Sequence, residues 1–185
     1  MKIFINPGHD LDYDSGAVNT NYGITEAAIA KSVGDKVAYY LNNVGYETMV
    51  MQSDNLNYDS DYADRPYPVC VAANDWNSDL FISIHCNAAN TIAKGTETLV
   101  YSLGGQSEDL ANCIQNQIIN SLNTVDRGLK VRPELTVLKR THMTAVLVEL
   151  AFIDNDEDAY LLINRQNDFA AAIARGVTDY VSSFK

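Results

Sequence analysis

The chain has 185 residues, of which 46% are hydrophobic and 20% charged, and its formal net charge is −11. This length allows one sizeable hydrophobic core but not two typical domains. The negative charge argues against a nucleic-acid partner, because the phosphates would be repelled, and no segment reaches the apolar length of a membrane span. The three cysteines are scattered and odd in number, so reduced thiols are expected.

The first half of the chain predicts two strands and an amphipathic helix. Residues 2–6 form a short apolar strand, which turns at Pro7-Gly8 and leaves His9 at its carboxyl end. A polar loop follows, and from Thr25 apolar residues recur at the three-to-four spacing of a helix that Gly45 ends. The next predicted elements are a strand over 46–51, a surface loop over 52–68 and a short helix over 69–77.

The second half is organised around a buried strand over 80–84 that ends in His85. A last buried strand over 145–150 carries Glu149 directly after four apolar residues. Strands that alternate with helices predict a single α/β domain, with a mostly parallel, twisted sheet of about six strands and helices on both faces. The other predicted elements are an edge strand over 96–101, a turn over 126–128, a strand over 134–138, and helices over 107–122, 156–163 and 168–184.

Three ionisable side chains stand where these elements begin or end. His9 and His85 end buried strands, and Glu26 opens the helix that follows the first strand. Because ligands bind at the carboxyl ends of parallel strands, we expect the three side chains to meet at one edge of the sheet. Two imidazoles and one carboxylate suit zinc and leave a fourth position open for water. Taken singly, each histidine is more often a hydrogen-bonded structural residue, so the prediction depends on their joint placement.

Glu149 is the candidate general base. A carboxylate at the end of a dry strand is desolvated, which raises its pKa toward the range useful for proton transfer. A lone glutamate in this position is more often a helix cap or an ion-pair partner. The neighbouring candidate ligands favour the catalytic interpretation.

These motifs resemble the zinc-dependent N-acetylmuramoyl-L-alanine amidases, the peptidoglycan hydrolases of bacterial autolysins and phage endolysins. The resemblance covers nearly the whole chain in the family's order, with Arg127-Gly128 as a weaker fifth block. The four stronger blocks are Asn6-Pro7-Gly8-His9 with Gly16-Ala17, Glu26 with Gly45-Tyr46, residues 79–88, and residues 145–149 with Phe152 and Asn155.

The resemblance implies that residues 1–185 form one amidase catalytic domain with a zinc exopeptidase-like fold. It implies that His9, Glu26 and His85 hold one Zn²⁺ ion and that Glu149 is the catalytic glutamate. The implied substrate is peptidoglycan, cut at the amide that joins the lactyl group of N-acetylmuramic acid to L-alanine of the stem peptide. We expect a monomer that binds neither nucleic acid nor membrane.

Two further residues are candidates for substrate binding. Asn87 lies two residues beyond His85, on the same side of an extended chain. It either orients the substrate or closes the turn. Arg127 either pairs with a carboxylate of the stem peptide or forms a structural salt bridge.

Two alternative functions remain. A zinc exopeptidase of related architecture would act on free peptides, whereas a catalytically inactive wall-binding module would lack a ligand or the base. The chain enters its first strand at once, without a secretory leader. We therefore expect it to remain in the cytoplasm until it is released and then to act on the cell wall.

Overall fold

The computed structural model describes residues 1–58, 65 and 67–183. Six of its strands form one sheet, and a separate hairpin precedes the first helix. In chain order the elements are β1 (Lys2–Pro7), β2 (Val18–Asn19), β3 (Ile24–Thr25), α1 (Glu26–Asn43), β4 (Glu47–Val50), α2 (Val69–Asp75), β5 (Leu80–Asn87), β6 (Thr96–Val100), α3 (Gln106–Leu122), β7 (Asp126–Val131), α4 (Thr136–Lys139), β8 (Thr144–Phe152), α5 (Asp156–Asn164) and α6 (Gln166–Ser182).

The main sheet confirms the predicted α/β class. Its strand order is β4-β1-β5-β8-β6-β7, and the first four strands in this order are parallel to one another. Strand β6 runs antiparallel to β8, and β7 follows the direction of β6. The carboxyl ends of β1, β5 and β8 therefore meet at one edge of the sheet, together with the amino ends of β6 and β7.

Helices cover both faces of the sheet, as the sequence predicts. One buried cluster joins α1, α3 and α6 to the sheet, and a smaller one joins α2 and α4 to its opposite face. Helix α1 packs closely on β1, because a Cβ added to Gly34 would lie 2.7 Å from Cγ of Pro7. This packing fixes the middle of α1 against the end of β1.

The helix starts agree with the capping signals in the sequence. The hydroxyl of Thr25 accepts a hydrogen bond from the backbone N–H of Ala28 and caps α1. The side chain of Asn155 caps α5 in the same way. Both caps satisfy N–H groups that the first helical turn leaves without an intrahelical partner.

Three predictions about individual elements are wrong, and two of them follow from the presence of strand β7. The predicted turn over 126–128 begins strand β7, although Gly128 has a φ of +70°. Because β7 pairs with β6, β6 is an inner strand and all five of its residues are buried, so it is not an edge. The predicted strand over 134–138 is replaced by the helix α4, which buries Val137 and Leu138 against α2.

The loop predicted over 52–68 lies partly outside the described residues. Residues 59–64 and 66 lie outside the described residues, and the described positions of this segment before Val69 contain no helix or strand. Within the described ranges, no helix is both long and apolar enough to cross a membrane.

Candidate metal centre

His9 is held in an unusual backbone conformation just beyond β1. Its φ is +63°, a region that residues other than glycine rarely adopt. A hydrogen bond to β5 holds this turn in place: the backbone N–H of Gly8 donates to the carbonyl of Ile84 at 2.8 Å. The Nδ1 atom of His9 lies 2.7 Å from Oδ2 of Asp14, and its Nε2 atom lies 3.1 Å from Oε2 of Glu26. Asp14 thus orients the imidazole so that Nε2 faces the cluster.

Glu26 is the centre of the cluster. It is the first residue of α1 and only 4% exposed, and the amino end of a helix favours a negative charge. Its Oε2 accepts from the backbone N–H of Ala17 at 2.9 Å, and its Oε1 accepts from the backbone N–H of Cys86 at 3.0 Å. The carboxylate is therefore clamped between the loop after His9 and the end of β5.

His85 completes the group from the central strand. Its Nδ1 atom lies 2.9 Å from Oε1 of Glu26, and its ring centroid lies 5.1 Å from that of His9. One ligand atom from each of these three residues can be chosen so that all lie within 4.8 Å of one another. The structure thus brings together the three side chains predicted as ligands, and their group could hold a metal ion.

The electrostatics of the group favour a positive charge. Burial opposes ionisation of Glu26, but hydrogen bonds from His85 and His9 outweigh it and hold the pKa of Glu26 well below its usual range. Burial also opposes protonation of His9, yet its hydrogen bonds to Glu26 and Asp14 raise its pKa to about 9. Glu26 is therefore ionised, whereas His9 holds a proton near neutral pH that it must lose before its Nε2 can bind a metal ion.

Glu149 lies one strand away from the cluster. In the pairing of β5 with β8, Glu149 stands opposite His85. Its Oε2 atom is buried and has no hydrogen-bond partner among the described residues. Burial, together with the nearby carboxylates of Glu26 and Glu97, raises the pKa of Glu149 to about 7. A carboxyl group with such a pKa can accept and return a proton near neutral pH.

Glu97 is a buried carboxylate of the site that sequence reasoning missed. In the antiparallel pairing of β6 with β8 it stands opposite Glu149, and it is only 7% exposed. Its Oε1 accepts from the side-chain amide of Asn87 at 3.0 Å, and its Oε2 accepts from Nε of Arg127 at 2.9 Å. Strand β6 reads Thr-Glu-Thr-Leu-Val, so no local signal in the sequence marks Glu97 as part of the site.

These contacts bear on the two residues predicted to bind substrate. Arg127 donates to Glu97, and its guanidinium lies 4.8 Å from the ring centroid of Phe152. The side-chain oxygen of Asn87 accepts from the backbone N–H of Ala88 at 2.9 Å. Both side chains thus have structural partners, and their roles toward substrate stay predictions.

A groove of about 430 Å³ passes over the cluster and continues along β6 and β8. Its floor includes Leu99 and Leu147, so it extends across the face of the sheet that α2 and α4 cover. The residues lining it are His9, Ala17, Glu26, His85, Cys86, Asn87, Ala88, Glu97, Leu99, Arg132, Glu134, Leu135, Leu147 and Glu149.

An α/β sheet that carries a partly buried His-Glu-His group beside a glutamate with a buried oxygen has the features of a hydrolase with a candidate metal centre. Comparison with known proteins identifies the family. The sequence profile of the N-acetylmuramoyl-L-alanine amidases matches residues 3–179, so the chain belongs to this family.

Individual relatives agree with this assignment. The chain is 36% identical to the uncharacterized protein YqiI of Bacillus subtilis, with 96% of this chain and 84% of that protein covered. It is 34% identical to the N-acetylmuramoyl-L-alanine amidase LytC of Bacillus subtilis over 96% of this chain, but it spans only 35% of that relative.

A solved structure supports the same fold. The amidase AmiC2 of Nostoc punctiforme superposes with a TM-score of 0.84 at 28% identity, covering 98% of this chain and 97% of that one. The family and these amidase relatives support the predicted peptidoglycan amidase activity. They do not favour the zinc exopeptidase alternative.

Proposed function

We propose that residues 1–185 form a catalytic domain that acts at the cell wall and hydrolyses the amide between N-acetylmuramic acid and L-alanine of the stem peptide. In this proposal His9, Glu26 and His85 hold one zinc ion, and Glu149 transfers the proton. The observation that carries the proposal is the buried, unpartnered Oε2 of Glu149 beside the three converging ligand atoms.

The residues present fit a zinc ion. Two imidazoles and one carboxylate form a typical catalytic zinc set, which leaves a position open. Two glycines keep space around the ligands: a Cβ on Gly8 would lie 2.2 Å from Cε1 of His85, and one on Gly16 would lie 2.6 Å from Cδ2 of His9. The backbone is thus shaped so that both imidazoles can approach the same point.

The side chains divide the chemistry between them. A bound zinc ion would supply Lewis-acid polarisation of the scissile carbonyl and acidify water. Glu149 accepts the proton of the attacking water and then donates it to the nitrogen of the leaving alanine. Its burial serves both steps, because a pKa near neutrality allows the same carboxyl group to act first as base and then as acid.

Product analysis tests this function directly. Purified peptidoglycan should release intact stem peptides with new amino-terminal alanine, and the glycan should keep unmodified muramic acid. Mass spectrometry and labelling of new amino groups would detect both products. Release of single amino acids from plain peptides, without new alanine termini from the walls, would instead support an exopeptidase.

Replacing Gly8 with alanine is expected to lower the affinity for zinc about 10-fold or more. The new methyl group would overlap the ring of His85 and displace a proposed ligand, and disturbing groups that orient ligands typically costs 10- to 100-fold in metal affinity. Competition against a chromogenic chelator would measure this. Gly105→Ala is the control, because its Cβ meets nothing within 4 Å. Equal affinities for the two variants would contradict the proposed ligand geometry.

A further inference from the structure

Arg132 is the one lysine or arginine among the described residues that line the groove. Apart from the two histidines and Cys86, whose thiol is buried in the core, the other ionisable residues that line the groove are the carboxylates Glu26, Glu97, Glu134 and Glu149. The chain as a whole also has a net charge of −11. Such a surface repels an anionic ligand, so outside the proposed zinc site Arg132 is the position in the groove where a negative group can bind.

The guanidinium of Arg132 is available to a ligand. Its side chain is 52% exposed, and its Nε lies 4.0 Å from the carboxylate of Glu134, which is itself 64% exposed. This separation is beyond hydrogen-bond distance. Arg127, by contrast, already donates to a buried carboxylate at 2.9 Å. Of these two arginines, Arg132 keeps its donors free for an incoming carboxylate.

The backbone of Arg132 is nevertheless well fixed. Its N–H donates to the carbonyl of Val100 at 2.9 Å, directly after the end of β7. Its carbonyl accepts from the N–H of Leu135 at 3.3 Å in the turn that leads into α4. An anchored backbone limits the conformational entropy lost when the side chain binds a ligand.

The strand register gives the distance from the proposed reaction centre. Glu97 stands opposite Glu149, and Val100, which binds Arg132, lies three residues further along β6. At about 3.3 Å per residue this is about 10 Å. An extended peptide advances by a similar length per residue. A stem peptide that follows the groove would therefore reach Arg132 within about three residues of the scissile amide.

We propose that Arg132 binds a carboxylate of the stem peptide and makes the enzyme selective for substrates in which that carboxylate is free rather than amidated. Arginine suits this role, because its planar guanidinium matches both oxygens of a carboxylate. An amide at the same place would carry no charge and would present N–H groups to a cation. The inference rests on the proposed amidase function and adds a specificity determinant to it.

Three synthetic muramoyl tripeptides test this inference: one with all carboxylates free, one amidated at the second residue and one at the third. We expect the zinc-loaded wild-type enzyme to cleave the free form about fivefold more efficiently than one of the amidated forms. Fivefold corresponds to about 1 kcal/mol, the upper range for a solvent-exposed ion pair. Arg132→Gln should remove this preference through a higher KM for the free form, with kcat unchanged, and Arg132→Lys should restore part of it.

Arg175→Gln is the matched control. Arg175 lies on α6, where it donates to Ser121 and Gln117 outside the groove, and its replacement should leave the preference unchanged. A preference that persists in Arg132→Gln, or its absence from the wild-type enzyme, would overturn the role of Arg132. Failure of the wild-type enzyme to cleave any of the three tripeptides would instead count against the proposed function.

Discussion

Replacing Glu149 with glutamine is expected to lower turnover on purified peptidoglycan at least about 100-fold, the usual scale for general acid–base catalysis. Glutamine has nearly the same shape but cannot accept a proton from water or return it to the leaving nitrogen. Glu149 is not one of the three side chains grouped as ligands, so zinc should be retained. Turnover and bound zinc would be measured on the same preparation.

A surface glutamate provides the comparison for this variant. Glu47 is exposed at the amino end of β4, where it pairs with Lys2 at the far end of β1 from His9, and Glu47→Gln should keep full activity. Normal digestion of walls by a zinc-loaded Glu149→Gln enzyme would refute the assignment of Glu149 as the proton-transfer group.

Removing either imidazole should sharply reduce the zinc content of the protein. His9→Ala or His85→Ala leaves two of the three proposed ligands, and the expected loss of affinity exceeds the 10- to 100-fold typical of outer-shell changes. Activity should fall with the metal. Elemental analysis after dialysis against a weak chelator would measure occupancy directly.

The third histidine serves as the control for the ligand variants. His142 is exposed, and its backbone N–H binds the side chain of Asn74, away from the groove. His142→Ala should therefore keep the zinc of the wild-type protein. Full occupancy in both His9→Ala and His85→Ala would show that the metal is bound elsewhere.

The sequence predicted the parts of the site that depend on single elements. His9 and Glu26 stand next to strong local signals, the Pro-Gly turn and the Thr25 cap, and both lie where these signals imply. His85 continues an apolar run that predicts a buried strand, and β5 confirms this prediction. Parallel strands and their connecting helices then bring these three residues to one edge of the sheet. Their convergence could therefore be predicted although they are far apart in the sequence.

The parts that sequence reasoning missed depend on the pairing of strands. Gly128 signals a turn locally, yet the strand that contains it is stabilised by hydrogen bonds to β6. Glu97 reaches Glu149 only because β6 runs antiparallel to β8, and no local pattern reports that direction. Asp14 binds His9 from a loop already rich in aspartate, so its position alone carried no signal.

Consecutive side chains of β5 point to opposite faces of the sheet, and this affects the kind of metal site that the chain can form. Cys86 follows His85 directly, but its side chain is buried in the cluster beneath α1, α3 and α6, and burial raises the pKa of its thiol. A thiolate turned toward the imidazoles could occupy the remaining coordination position and produce a closed, purely structural zinc site. By directing its sulfur into the interior, β5 keeps this thiol away from the proposed zinc ligands.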